Sequence, residues 1–134
     1  MRLDEGECRR RLTEARVARL ATADAAGRPH LIPITFVMDG DELVFVIDLK
    51  PKTTTALKRL RNIEENPAVS VLADHYQDEW TQLWWVRADG SASIVEPTRT
   101  DLELLSAKYP QYRQAPPPGP AVRIAVTKLT GWKP

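Results

Sequence analysis

Alternation of apolar and polar residues, divided by two turns, is the feature that most restricts how this chain can fold. The pattern runs through residues 17–48, VARLATADAAGRPHLIPITFVMDGDELVFVID. In its first segment Ala18, Leu20 and Thr22 share one face, as expected for a strand with one side buried. Gly27 and Gly40 lie in the two turns, where glycine readily adopts the positive φ angles of tight hairpins. The stretch therefore predicts strands over 17–24, 30–38 and 42–48, joined as a three-stranded antiparallel meander.

The rest of the chain predicts helices inserted between further strands. Residues 4–16 form an amphipathic helix, and a second helix begins near Thr53, Thr54 or Thr55 and ends at Asn66-Pro67. Strands follow over 68–76 and 83–96, with Asp89-Gly90 as a hairpin turn or a bulge. A helix capped by Thr98 or Thr100 and a last strand over 121–129 complete the chain. The count of six strands in 134 residues predicts a single domain, mainly β, built as a six-stranded barrel with peripheral helices.

Charge and cysteine content exclude several classes of function. The formal net charge is +1, so the surface as a whole does not favour nucleic acid or membranes. The single cysteine allows neither an internal disulfide nor a cysteine-based zinc site. The N-terminal residues have no apolar signal core, and no apolar run approaches the length of a membrane span. We therefore expect a cytoplasmic protein with no nucleic-acid or membrane partner.

Positive charge is concentrated where the strand ending near residue 48 leads into the next helix. Hydroxyl groups and lysines at a helix N-terminus, where backbone N–H groups are unpaired, provide a binding site for an anion such as phosphate. The predicted anion ligands are Lys50, Lys52, Thr53, Thr54 and Lys58. Arg59 could reach the same group. Lys58, Arg59 and Arg61 can instead belong to a solvated helix face offset by Glu64 and Glu65, which is the favoured interpretation for Arg61. A single phosphorylated small molecule fits this compact segment better than a nucleic acid does, because nucleic acid requires an extended basic surface.

Two adjacent tryptophans mark the strand over 83–96. Neighbouring strand residues face opposite ways, so Trp84 and Trp85 cannot both enter the same core. The outward ring can stack on a flat ligand or pack in a subunit interface, and Arg87 beside Trp85 can hold an anionic group or pair with an acid. The sequence shows no convincing metal-ligand spacing and no evident nucleophile, acid or base. If the chain is an enzyme, a cofactor must supply the reactivity, and the catalytic residues stay unassigned.

The order of these motifs resembles one known superfamily. RLATADAAGRPHLIPITFVMDGDELVFVID, the basic KPK segment, NPAVSVL and WWVRADGSA occur in sequence. Together they resemble the pyridoxamine 5′-phosphate oxidase-like split-barrel proteins, and within them the actinobacterial branch of F420-dependent enzymes. The resemblance implies a six-stranded antiparallel split β-barrel of the FMN-binding type. It also implies a homodimer with cofactor sites at the subunit interface, where Lys50, Lys52, Thr53, Thr54 and Lys58 hold the cofactor phosphate. The remaining site residues that it implies, along and beside the cofactor ring, are Ile32, Pro33, Ile34, Thr35, Trp85, Arg87 and Trp132.

The second strand favours one cofactor over another. Pyridoxamine phosphate oxidases carry an Arg and a Lys there, whereas HLIPITFVM has neither, and the following helix is longer than theirs. The resemblance therefore favours F420 over FMN. The predicted function is an F420-dependent oxidoreductase that transfers a hydride between the deazaflavin and an unidentified unsaturated small molecule, with Tyr76, His75 or solvent as the proton source. The alternatives are an FMN-dependent oxidoreductase on the same fold and a non-catalytic protein that binds a cofactor or haem. A third, from another class, is a small barrel that binds single-stranded nucleic acid.

Overall fold

The computed structural model describes the backbone of residues 1–48 and 54–134, and the side chains of all of these except 54–57. Seven strands are present in the described part of the chain: β1 Ala18–Ala23, β2 Pro29–Ile34, β3 Val37–Asp39, β4 Glu42–Val46, β5 Ala68–His75, β6 Trp84–Val95 and β7 Ala121–Trp132. The helices are α1 Glu5–Glu14, α2 Thr54–Glu65, α3 Arg99–Lys108 and the short α4 Gln111–Gln114, with a 3₁₀ turn over Trp80–Gln82. The protein is thus mainly β, with helices between the strands.

All strand pairs in the sheet are antiparallel, and the order is β2-β1-β5-β6-β7-β4-β3. No ladder joins β2 to β3 among the described residues, so the sheet is split there and does not close. The predicted alternation in β1 is confirmed, because Ala18, Leu20 and Thr22 are buried. Phe36 and Phe45 are the largest fully buried side chains of the core. Helix α1 contacts β6 and β7, and α2 contacts β1 and β6.

The prediction of six strands was wrong, because residues 30–38 do not form one strand. They form β2, which pairs with β1, and β3, which pairs with β4 across the Gly40-Asp41 turn. At the break, the backbone N–H of Phe36 donates to the Tyr109 hydroxyl at 3.1 Å, and its carbonyl accepts from Lys108 Nζ at 3.0 Å. Because side chains satisfy these backbone groups, the chain can leave one half of the sheet and join the other. The predicted three-stranded meander is therefore two separate hairpins.

Strand β6 settles the alternatives at Asp89-Gly90 in favour of a bulge. The register with β7 shifts between Asp89 and Gly90, and β6 continues to Val95. A Cβ added at Gly90 would lie 2.2 Å from the carbonyl oxygen of Ala125, so only glycine permits this close approach of two strands. The long strand crosses both halves of the sheet, pairing with β5 and β7.

Helix α3 begins with the predicted cap at Thr98. Thr98 Oγ1 accepts a hydrogen bond from the backbone N–H of Asp101, and the Asp101 carboxylate accepts one from the Thr98 N–H, which forms a complete capping box. Asp101 is fully buried and also accepts a 2.6 Å hydrogen bond from Arg123 on β7. Helix α3 is thereby fixed to the sheet. In the described residues, no helix has both the length and the apolar character needed to cross a membrane.

Candidate functional site

A cavity of about 380 Å³ opens at the split in the sheet. The ends of β2 and β4 form its wall, α2 lies on one side and α4 on another. Its lining residues are Val17, Pro33, Ile34, Thr35, Phe45, Val46, Ile47, Asp48, Arg59 and Tyr112. Most of these side chains are apolar, and the polar ones are Thr35, Asp48, Arg59 and Tyr112. A mainly apolar cavity with a few convergent polar groups is typical of small-molecule sites.

Among the described residues that line this first cavity, Arg59 is the only cation. Its Nε atom is buried and has no hydrogen-bond partner among the described residues, and its guanidinium carbon lies 5.9 Å from the centre of the Phe45 ring. Burial lowers the pKa of this guanidinium. Asp48 lines the same cavity but is not within ion-pair distance. A buried donor without a partner is costly, so Arg59 is suited to pair with an anion that enters the cavity.

Two hydroxyl groups form a polar edge of the first cavity. Thr35 Oγ1 and the Tyr112 hydroxyl are 2.8 Å apart, and either can be the donor. The pair contains two hydroxyl hydrogens, and the bond between the oxygens uses one of them. The second hydrogen is free to donate to an oxygen or nitrogen of a bound molecule. The Tyr112 ring packs edge-on against Tyr109, with ring centres 5.8 Å apart, which holds the hydroxyl in place.

A second concavity, of about 500 Å³, lies on the outward face of the sheet. Cross-strand pairs place Arg19 beside Leu72, Leu72 beside Arg87, and Trp85 beside Trp132. The lining residues are Arg19, Ala21, Leu31, Ser70, Leu72, Asp74, Tyr76, Trp85 and Arg87. Arg87 pairs with Asp89 at 3.2 Å. This face exposes an unusual amount of apolar surface: Leu31 is 67% exposed, Tyr76 61% and Trp132 39%.

The predicted site residues divide between these two concavities. Pro33, Ile34 and Thr35 line the first cavity, whereas Trp85 and Arg87 line the second. Ile32 is buried in the core and lines neither. Trp132 is the cross-strand neighbour of Trp85 on the outward face.

The predicted anion segment is described only in part. Lys50, Lys52 and Thr53 lie outside the described residues, and Thr54 begins α2 without a described side chain. Lys58 is exposed on α2. Whether these residues share an anion with Arg59 stays a prediction.

Neither proposed source of a proton lies in the first cavity. His75 Nε2 is 2.8 Å from Gln77 Oε1 in an exposed position, and Tyr76 lines the second concavity. Within the described residues there is no group of three or more His, Cys, Asp or Glu side chains placed to hold a metal ion.

Sequence reasoning undervalued Arg59 and did not identify Tyr112. Arg59 lies three residues after Ala56 and four before Ile63, so helical spacing alone places it on the apolar stripe of α2. Its inward direction could have been found from that spacing. Tyr112 gave no comparable signal, because its place beside Thr35 depends on how α3 and α4 return to the sheet.

The family model described as pyridoxamine 5′-phosphate oxidase matches residues 4–133. The chain belongs to this family. This confirms the resemblance that the sequence motifs indicated, and the split sheet fits the split-barrel fold of that family.

Solved structures from several bacteria share this family member's fold. A FAD-binding protein from Mesorhizobium loti is 22% identical with a TM-score of 0.76, and the match covers 98% of this chain and 95% of that one. A FAD-binding protein from Mycobacterium smegmatis is 24% identical over 98% and 96% of the two chains, with a TM-score of 0.66. A haem storage protein from Vibrio cholerae is 22% identical over 93% and 92%, with a TM-score of 0.72. No curated protein matches the sequence significantly. At these identities the structural matches show the fold alone.

Proposed function

We propose that this protein is an oxidoreductase that binds a phosphorylated, flavin-type cofactor in the first cavity and uses it to reduce an unsaturated small molecule. The proposal rests on the environment of Arg59. A buried guanidinium nitrogen without a partner among the described residues, in a mainly apolar cavity, calls for an anionic ligand with a large apolar body. A flavin-type ring with a phosphorylated side chain has both parts.

The residues present fit such a cofactor. Pro33, Ile34 and Thr35 offer a strand edge for the flat ring, and Arg59 offers a charge-assisted hydrogen bond to the phosphate. Lys50, Lys52, Thr53, Thr54 and Lys58 supply further donors along the same chain segment by sequence. The similar folds of two FAD-binding proteins support a flavin-type ligand.

The cofactor, when bound, supplies the hydride. The protein's own side chains bind and orient the cofactor and shield its ring from water. Arg59 and the basic segment fix the anionic end, and the apolar side chains of the cavity exclude water from the ring. The spare hydroxyl hydrogen of the Thr35–Tyr112 pair can hold an acceptor oxygen of the cofactor or of the substrate. Solvent remains the simplest proton source.

F420 is the proposed cofactor, with FMN as the alternative. The support for F420 is that β2 contains neither an Arg nor a Lys, whereas the resemblance implies both in FMN-dependent oxidases of this superfamily. The physiological substrate is an unsaturated small molecule of unassigned identity.

We also propose a homodimer with the cofactor at its interface. Leu31, Leu72 and Trp132 expose apolar surface on the outward sheet face, as expected of an interface. Trp85 and Arg87 line the second concavity of that face and not the first cavity. In a dimer they would reach the cofactor from the partner subunit, which accounts for their separation from Thr35.

A haem-binding carrier is the second candidate, supported by the similar fold of a haem storage protein. Haem iron requires an axial ligand, commonly His, Cys, Met or Tyr. Of these types only Tyr112 lines the first cavity in the described part of the chain, and its hydroxyl is bonded to Thr35. The cavity therefore favours a flavin-type ring over haem.

Parallel calorimetric titrations of the purified protein with F420, FMN and haemin test the proposal. We expect F420 to bind most tightly, and the double variant Lys50→Ala/Lys52→Ala to weaken that binding while its circular dichroism spectrum stays unchanged. Tighter binding of FMN would move the assignment to the alternative cofactor. Binding of haemin alone would favour the carrier, and no heat with any of the three would remove the proposal.

A further inference from the structure

The chain crosses between the two halves of the sheet at Phe36. This residue separates β2 from β3, directly after the Pro33–Thr35 wall of the first cavity. Phe36 is fully buried, and its backbone groups make their bonds to side chains at the end of α3 instead of to a strand. The position of the cavity wall therefore depends on those side chains.

Tyr109 and Lys108 hold this crossover from both sides. The Tyr109 hydroxyl accepts from the Phe36 N–H at 3.1 Å, and its own hydrogen is within reach of the carbonyl oxygens of Arg16, at 2.9 Å, and Phe36, at 3.1 Å. Lys108 Nζ donates to the Phe36 carbonyl and lies 4.1 Å from the centre of the Phe36 ring. A cation over an aromatic face is attracted to the ring. Phe36 therefore holds the Lys108 ammonium group through both its carbonyl oxygen and its ring.

The short helix α4, directly after this end of α3, carries the polar edge of the cavity. The Tyr112 ring packs against the Tyr109 ring, and the Tyr112 hydroxyl reaches Thr35, the residue before Phe36. The backbone N–H of Tyr112 donates to the Tyr109 carbonyl at 3.0 Å. A shift of Tyr109 would thus move both partners of the Thr35–Tyr112 pair.

Lys108 has no compensating acid among the described residues, where it forms no ion pair. Arg16 donates a 2.7 Å hydrogen bond to the Lys108 carbonyl oxygen. Glu14 lines a surface hollow together with Lys108, but its carboxylate pairs with Arg10. The charged or titratable groups that the described residues place around Lys108 are Glu14 and Arg16, which line a hollow with it, and Tyr109, whose ring centre is 5.3 Å from Lys108 Nζ.

We propose that Lys108 and Tyr109 are positioning residues that clamp the crossover at Phe36, hold the wall of the first cavity in its binding position, and make ligand affinity sensitive to alkaline pH. The inference rests on the proposed function in one respect, that the ligand of this cavity is a flavin-type cofactor. The clamp itself is a property of the protein without ligand.

The direction of the pH effect follows from the surroundings of Lys108. Burial, and next the nearby Arg16 guanidinium, lower the pKa of Lys108 to about 8. Below that pH the ammonium group makes both of its contacts to Phe36. Above it the neutral amine loses the attraction to the ring and the charge-assisted part of the hydrogen bond, so the clamp loosens as the pH rises.

Four variants separate the clamp from a general effect of charge. Lys108→Met removes the clamp and its charge, Lys108→Arg keeps a charge that does not titrate, and Tyr109→Phe removes hydrogen bonds without changing charge. Arg99→Met removes a cation from an exposed position on the same helix and serves as the control. The probes are FMN and F420, with dissociation constants measured at pH 7 and pH 9. The phosphate of FMN does not titrate between these values, because its second pKa is about 6.

We expect Lys108→Met and Tyr109→Phe to weaken binding of the probe at pH 7 by about tenfold, as the loss of hydrogen bonds to a buried carbonyl implies, and Arg99→Met to leave it unchanged. Wild-type affinity should fall about threefold from pH 7 to pH 9, roughly the loss of half a kcal/mol of cation–π attraction, while that of Lys108→Arg stays constant. Unchanged binding in Tyr109→Phe, or an equal pH response in Lys108→Arg, would overturn the proposal.

The protein without ligand provides an independent measurement. The NMR amide signal of Phe36 should shift with a midpoint near pH 8 in the wild type and stay in place in Lys108→Arg. If neither FMN nor F420 binds even the wild type, the proposed cofactor site is wrong, and this titration alone decides whether the clamp exists. An amide signal that does not move in the wild type would disprove the clamp whatever binds.

Discussion

Replacing Arg59 by methionine separates a functional arginine from a structural one. The side chains have similar length, so Arg59→Met fills the same space without the charge. The buried Nε has no hydrogen-bond partner among the described residues, and leaving such a donor unpaired costs about 1–3 kcal/mol, which the variant relieves. The variant also removes the contact with the Phe45 ring, worth about 0.5–1 kcal/mol. The free energy of unfolding of the ligand-free protein should therefore stay the same or rise by roughly 1–2 kcal/mol.

Binding should change in the opposite direction. A charge-assisted hydrogen bond to phosphate contributes about 1.5–3 kcal/mol, so the dissociation constant for F420 or FMN should rise roughly ten- to a hundredfold. Urea unfolding followed by circular dichroism measures the first quantity, and fluorescence titration measures the second. Arg61→Met is the matched control, because Arg61 is an exposed cation on the same helix and should change neither.

Two results would refute this reasoning. Wild-type affinity in Arg59→Met would show that the guanidinium does not touch the ligand. A loss of more than about 2 kcal/mol of stability would show that Arg59 has a structural partner and that its burial does not indicate a ligand site.

Three further predictions follow from other parts of the fold. Asp101→Asn should destabilise the protein by about 3 kcal/mol at neutral pH, because it breaks the buried pair with Arg123. Although burial raises the pKa of Asp101, hydrogen bonds lower it overall, so this stabilisation is present above pH 4 and lost as the pH falls further; acid unfolding of the wild type and the variant should converge there. Gly90→Ala should lower the urea midpoint severely, because its Cβ would meet the carbonyl of Ala125, and an unchanged midpoint would contradict the bulge geometry. Leu31→Glu should shift the mass measured by analytical ultracentrifugation from dimer to monomer; a variant with the wild-type mass would exclude this face as the interface.

Local patterns predicted most of the fold because the interactions that form those elements are close in sequence. The alternation in β1 and the cap at Thr98 each depend on residues within a few positions. The break at Phe36 was missed because its partners, Lys108 and Tyr109, are 72 and 73 residues away. Nothing in the segment itself, which is apolar and rich in β-forming residues, signals that a distant helix will satisfy its backbone.

The candidate site, too, was predicted only in part. Pro33, Ile34 and Thr35 were expected from the family resemblance, and the structure places them on a cavity. Trp85 and Arg87 were expected beside them but line another concavity, which β2 reaches only through Leu31 among the described residues. Strand order is set by long-range pairing that periodicity does not contain. In the proposed homodimer, the second subunit would bring the two groups together.

A structure of the protein with F420 or FMN bound tests the central claim most directly. We expect the ring against Pro33–Thr35, and the phosphate within hydrogen-bond distance of the Arg59 guanidinium. A cofactor lodged only in the concavity of Trp85 and Arg87, with Arg59 still lacking a partner, would contradict the account.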